Sequence, residues 1–134
     1  MKRVTGIGGV FFKTKDREAM LAWYRDHLGL PTQPWGAPFL WQESEAPDKT
    51  GYTVWSPFDA DSTYFAPSKQ SFMINYRVDD LEALLADLKA KGVTVVGEMQ
   101  TEPNGKFGWI LDPEGNKIEL WEPVDPDTDP YLPK

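Results

Sequence analysis

The chemistry open to this chain rests on few side chains. It has no cysteine and one histidine, so disulfides, thiolate nucleophiles and thiolate metal sites are excluded. The most suggestive acid is Glu119, in the stretch FGWILDPEGNKIELWE from Phe107 to Glu122. Strand alternation sends Ile118 and Leu120 to one face and Lys117, Glu119 and Trp121 to the other. A carboxylate set among apolar neighbours is suited to proton transfer as a general acid or base. Arg77 and Lys117 are cations able to steady an anionic intermediate or a substrate carboxylate. The competing reading is an ion pair between Glu119 and Arg77 that does no chemistry. No nucleophile–base pair can be assembled from the other residues. Gly6-Ile7-Gly8-Gly9 leads into no helix and lacks the Lys-Ser/Thr ending of a phosphate loop. The sole histidine, His27, falls near a predicted helix end, where its charged form suits the dipole.

Elements able to position Glu119 follow from the pattern around it. Asp112-Pro113-Glu114-Gly115-Asn116 has turn chemistry between two apolar runs, so residues 107–122 form a β-hairpin. Residues 4–12 alternate as a first strand, with Val10 and Phe12 on one face and Gly9 and Phe11 on the other. Asp16 caps a helix over Arg17–Leu28, with Leu21, Tyr24 and Leu28 at helical spacing, and Gly29 stops it. Phe39–Glu43 and Tyr52–Ser56 are the next strands, joined by a polar turn at Ser44–Gly51. Phe58–Ala66 reads as a loop carrying Tyr64 and Phe65, either a lid or a linker with its rings tucked into the core. Phe72–Val78 is a strand with Met73, Asn75 and Arg77 on one face. Asp79 caps a second helix, Glu82 completes a capping box, and Gly92 ends it. Val93–Val96 is a strand, Glu98–Lys106 a loop, and Asp125–Lys134 an extended arm.

The halves echo each other: Asp16 to Gly29 and Asp79 to Gly92 are equal steps of 13 residues at an offset of 63. The predicted fold is α+β, two β-α-β-β-β modules at about 4–60 and 71–123 in a single domain 1–134, with the arm at 124–134. Helices on one face of a curved mixed sheet leave the other face as a cleft. Parity places Phe11, Met73, Asn75, Arg77, Lys117, Glu119 and Trp121 there, a wall of the kind small-molecule pockets have.

Net charge is −7, from 21 acidic and 14 basic residues, which argues against a nucleic-acid partner. Glu122, Asp125, Asp127 and Asp129 concentrate acid near the C-terminal end, either a solvated tail or a field that draws in a cation. No apolar run approaches the roughly 20 residues of a membrane helix. The N-terminal stretch reads as a strand rather than a signal-peptide core, so the expected location is cytoplasmic.

"AWYRDHLGL", "RVDDLEALLADLKAKGV" and "DPEGNKIELWEP", on a duplicated strand–helix pattern, resemble the vicinal oxygen chelate superfamily. This group includes glyoxalase I, extradiol dioxygenases, fosfomycin-resistance enzymes and bleomycin-resistance proteins. The resemblance covers roughly residues 4–123. It implies a homodimer and a divalent metal with ligands on the first strand, the last strand of module one, the first strand of module two and the final "IEL". Those positions fall on Gly9, within Tyr52–Ser56, on Met73 and on Glu119. Glycine cannot ligate, and a thioether is a poor ligand for hard cations. The expectation is therefore a metal-independent member with no cofactor, resembling the bleomycin-resistance branch. It would bind an aromatic or amphipathic molecule through Phe11, Trp55, Tyr64, Met73, Asn75, Arg77, Trp109 and Trp121. The alternative is a glyoxalase-like isomerase or lyase, or a dioxygenase, with Glu119 as general base or as the ligand of a divalent metal. A third reading has a partner chain filling the cleft, with the arm involved.

Overall fold

At the centre of the fold two antiparallel strands meet, one from each half of the chain. In the computed structural model, which describes residues 3–43 and 46–132, β1 (Val4–Thr14) lies beside β4 (Phe72–Val78). β1 pairs in parallel with β3 (Ala46–Asp59), and β4 pairs in parallel with β7 (Lys117–Pro123). With β2 (Ala37–Glu43), β5 (Gln100–Glu102) and β6 (Gly105–Leu111), the described residues form a curved mixed sheet of seven strands, ordered β2-β3-β1-β4-β7-β6-β5. The fold is α+β, as expected. The first module carries two strands after its helix, one fewer than the β-α-β-β-β pattern.

Helix α1 (Arg17–Leu28) begins and ends where its caps require. Asp16 accepts from the Ala19 N–H at 3.0 Å, and Gly29 closes the helix at φ 71°. Leu21 is buried and Tyr24 packs at a tilt against Trp55, whereas Leu28 is exposed and takes no part in the stripe. His27 lies flat on Trp23 at the exposed surface, its Nδ1–H donating to the Trp23 carbonyl at 2.9 Å.

Helix α2 (Leu81–Ala90) starts one residue later than its pattern suggests. Its cap is Asp80, not Asp79, and accepts from Ala83 N–H at 3.2 Å. Glu82 consequently falls too early for a capping box and pairs with Lys106 at 3.0 Å. Glu122 of β7 supplies a carboxylate to the helix start instead, accepting from Leu81 N–H at 2.9 Å. Leu81 and Leu84 join Val78 and Leu120 in a cluster between α2 and the sheet. Each such side chain contributes about 1.5–3 kcal/mol by leaving water.

Three connections also differ. Ala46–Gly51, read as part of a turn, continues β3 against β2, while Ser44 and Glu45 lie outside the described residues. Val93–Val96 makes only the bridge from Val95 to Ile110, reinforced by Val96 N–H donating to Trp109 O at 2.8 Å. The segment read as the loop Glu98–Lys106 contains β5, which pairs back on β6.

Candidate functional site

Sheet register makes a row of three residues across the cleft. Asn75 of β4 pairs with Glu119 of β7, and Glu119 pairs in turn with Trp109 of β6. Asn75 Nδ2 donates to Glu119 Oε1 at 2.6 Å, and Trp109 Nε1 donates to Oε2 at 2.9 Å. The Tyr64 hydroxyl also donates to Oε2 from the loop after β3. Glu119 is only 2 % exposed. It is thus a buried carboxylate held by neutral donors, a much more settled arrangement than an unpaired charge.

Arg77 does not pair with Glu119. It stands two residues further along β4, opposite Trp121, and its guanidinium lies between two indoles, 5.0 Å from Trp41 and 4.9 Å from Trp121. Burial lowers its pKa from the usual arginine value, while Glu43, Tyr52 and Asp129 oppose that fall. Trp41 lies flat against Gly6 and Gly51; a Cβ on Gly51 would fall 2.4 Å from its ring.

Lys117 covers the outer side of the row. Its Nζ donates to the Tyr64 carbonyl at 2.7 Å and sits over the Tyr64 and Trp109 rings. Partial burial lowers the Lys117 pKa, partly offset by Glu119. The Tyr64 phenol moves the opposite way, raised first by burial and then by the charge of Glu119.

Inside the row lies a cavity of about 300 Å³. Glu119, Asn75, Gly8 and Ser56 line it together with the rings of Phe11, Trp35, Tyr52, Phe107, Trp121 and Tyr131. Trp121 stacks parallel to Phe107 at 5.8 Å and meets Tyr52 edge-on at 5.2 Å. The C-terminal segment completes the wall, so the expectation of an extended arm is corrected. Pro126–Thr128 forms a 3₁₀ turn capped by Asp125, and the chain then folds back onto the sheet. Asp129 is buried and accepts from the Tyr52 hydroxyl and from Tyr131 N–H, both at 2.8 Å. Leu132 joins Tyr52 and Trp121 in a buried cluster, and Tyr131 meets Trp35 edge-on.

Of the residues read as ligand contacts, Phe11, Asn75 and Trp121 line this cavity alongside Glu119. Tyr64 and Trp109 reach Glu119 without lining it. Met73 packs with Phe11, Phe65 and Trp109 in the core, and Arg77 lies between its two tryptophans. Trp55 is on the opposite side of the sheet, against Tyr24 and Phe12, because β3 turns Tyr52, Val54 and Ser56 toward the cavity. Sequence reasoning missed those three, Phe107 and the tail. Phe107 was within reach, since it shares parity with Trp109 and pairs with Trp121.

The described residues around Glu119 do not fit a divalent metal. Register sets Asn75, not Met73, between Gly9 and Glu119. The Glu119 oxygens already accept three hydrogen bonds. Among the described residues no group of three or more His, Cys, Asp or Glu is arranged to hold a metal ion, and catalytic centres commonly use about three protein ligands.

A curved mixed sheet built from two modules around a cleft defines the glyoxalase-like α+β fold. The profile of the Glyoxalase/Bleomycin resistance protein/Dioxygenase superfamily matches residues 6–120, and the chain belongs to that superfamily. Methylmalonyl-CoA epimerase from Mycobacterium tuberculosis is 23 % identical, with 92 % of this chain and 91 % of that one covered at a TM-score of 0.59. A Streptomyces coelicolor methylmalonyl-CoA epimerase (Q60A) bound to 2-nitronate-propionyl-CoA is 17 % identical over 90 % and 99 %, with a TM-score of 0.67. The Mn(II)-bound glyoxalase from Novosphingobium aromaticivorans is 25 % identical over 93 % of this chain but 41 % of its own, with a TM-score of 0.61. A search of curated protein sequences finds no match. No helix among the described residues is long and apolar enough to cross a membrane.

Proposed function

We propose that this protein binds a small aromatic or amphipathic organic molecule in the cleft and does so without a metal. The observation that carries this reading is the cavity of about 300 Å³, walled by aromatic rings and floored by Asn75 and Glu119. Ligand pockets combine apolar walls with a few placed polar groups in this way, and this volume is at the small end of their range. Tryptophan fluorescence tests it, because Trp35 and Trp121 line the cavity. Titration with one- and two-ring aromatics should give a saturable change, and a flat response across the set would overturn the reading. Metal independence has its own test, titration with Zn²⁺, Ni²⁺, Mn²⁺ and Fe²⁺. One tightly bound equivalent, lost in Glu119→Ala, would refute it.

A second reading is supported by the position of Glu119 at the cavity with Tyr64 and Trp109 behind it. Glu119 would then act as the general base of a proton transfer, as in an isomerase or lyase. Methylmalonyl-CoA epimerases are among the proteins that share this fold. Deuterium from D₂O should then enter a carbon acid held in the cleft, and Glu119→Gln should stop it. We further propose that the two modules, 4–60 and 71–123, are one domain and that the protein is a homodimer. A single unfolding transition and a sedimenting mass near twice the 15.2 kDa chain are expected.

A further inference from the structure

Hydrogen-bonding groups at the cavity floor are one-sided, and that restricts the occupant. Four of the side-chain donors that line the cavity, those of Tyr52, Ser56, Trp121 and Asn75, are committed within the protein. Tyr52 OH donates to Asp129 at 2.8 Å, Ser56 OH to the Trp35 carbonyl at 2.6 Å, and Trp121 Nε1 to the Asn104 carbonyl at 2.9 Å. The Asn75 amide faces Glu119, which settles its orientation: turned over, it would set its oxygen against a carboxylate.

Acceptors remain. Asn75 is 1 % exposed, and its Oδ1 has no hydrogen-bond partner among the described residues. Beside it, Glu119 accepts three hydrogen bonds where a carboxylate has room for about four. Gly8 lies directly against this amide oxygen, and a Cβ at that position would fall 2.2 Å from it. Among the described residues no lysine or arginine lines the cavity: Arg77 is held between Trp41 and Trp121, and Lys117 lies over Tyr64. An anionic head group would therefore meet a buried carboxylate with no cation to offset it.

We propose that the cleft selects a planar aromatic molecule of one or two rings whose inner edge donates hydrogen bonds to Asn75 and Glu119, through a ring N–H or an aromatic amine. This rests on the reading of the cleft as a small-molecule site. The donor satisfies a buried acceptor that otherwise carries its full desolvation cost. The rings lie against the parallel faces of Trp121 and Phe107.

Matched probes test this on the unaltered protein. Indole and benzofuran share a bicyclic outline and differ in a ring N–H against a ring oxygen, and 2-naphthoate adds an anion. Calorimetric titration measures affinity, and shifts of the Trp35 and Trp121 indole N–H signals place the probe in the cavity. Indole should bind at least tenfold more tightly than benzofuran, although benzofuran is the more apolar, and 2-naphthoate should be excluded. Equal or tighter binding of benzofuran, or entry of 2-naphthoate, would overturn the donor rule and leave the cleft reading standing. If no probe shifts either signal, the cleft reading fails and the donor rule with it.

Discussion

Tyr52 and Asp129 tie the C-terminal segment to the cavity wall, and a double-mutant cycle measures that tie. Both residues are buried, and the 2.8 Å bond from phenol to carboxylate spans 77 residues of sequence. Hydrogen bonds to charged groups contribute roughly 1.5–3 kcal/mol, and a buried partner left without its mate also bears the cost of desolvation. Tyr52→Phe leaves the Asp129 carboxylate with the Tyr131 N–H but no phenol; about 2 kcal/mol of stability should be lost. Asp129→Ala should cost a similar amount, since it strands the Tyr52 hydroxyl and removes the turn that holds Tyr131. The double variant loses the same bond only once, so the combined loss should fall short of the sum by about 1–2 kcal/mol. For a chain of this length, 1 kcal/mol corresponds to about 4 °C in Tm. Urea denaturation of the four proteins gives the coupling, and acrylamide quenching of tryptophan reports whether the wall at Trp35 has opened. Losses that add within about 0.5 kcal/mol would refute the claim that this bond anchors the segment.

Three further outcomes follow from the same packing. Arg77→Lys should cost about 1–3 kcal/mol in urea denaturation, because an ammonium cannot stack between two indoles as a guanidinium does. Arg77→Met should cost less, since it also removes a buried Nη1 that lacks a partner; a fully stable Lys variant would rule this out. Gly8→Ala sets a Cβ 2.2 Å from Asn75 Oδ1 and 2.8 Å from Trp121 Cε3. A loss of about 1–3 kcal/mol from overpacking is expected, and an unchanged urea midpoint would contradict the placement. At alkaline pH the phenols of Tyr52 and Tyr64 are held protonated in the fold, burial being the main cause. Above about pH 10 the unfolded chain releases protons that the folded one retains, so this stabilisation is whole below that pH and falls as pH rises. Tyr64→Phe should flatten the decline measured from pH 9 to 11, and an unaltered slope would count against the burial of this phenol beside Glu119.

Local chemistry made some of this structure legible. Asp16 and Gly29 specify α1 because both caps act within four residues of the helix they close. Parity along β4 and β7 put Asn75, Glu119 and Trp121 on one face, and register then set Asn75 beside Glu119. Parity failed on β3, where each face offers an aromatic: Tyr52 on one, Trp55 on the other. Packing against Tyr24 of α1 decided between them, and that contact is not a local pattern. Counting back from the helix caps reached Met73, whereas sheet register sets Asn75 beside both Gly9 and Glu119, a pairing that leaves no local mark in the sequence. Asp129 looked like one more acid in a polar tail because its partner is on β3.

Superfamily membership and the details of the floor pull in different directions, and the floor is the better guide to chemistry. Fold analogy carries over a scaffold, whereas activity depends on the groups at the site. Here a carboxylate remains on the last strand, but its neighbours are an amide, an indole and a phenol, all of them neutral donors. Such a shell holds the carboxylate oxygens in place by hydrogen bonds, the task a cation would otherwise perform. It also ties three elements to one point: β4 through Asn75, β6 through Trp109, and the loop after β3 through Tyr64. Replacing Glu119 should therefore loosen the Tyr64 loop as well as change the cavity. Glu119→Gln separates these effects, since its carbonyl can still accept from Trp109 and Tyr64 while its amide sets a donor against Asn75. Hydrogen exchange in residues 60–68 should stay close to that of the unaltered protein in Glu119→Gln and rise in Glu119→Ala. Equal exchange in the two variants would mean that the loop is held by Phe65 and Lys117 alone.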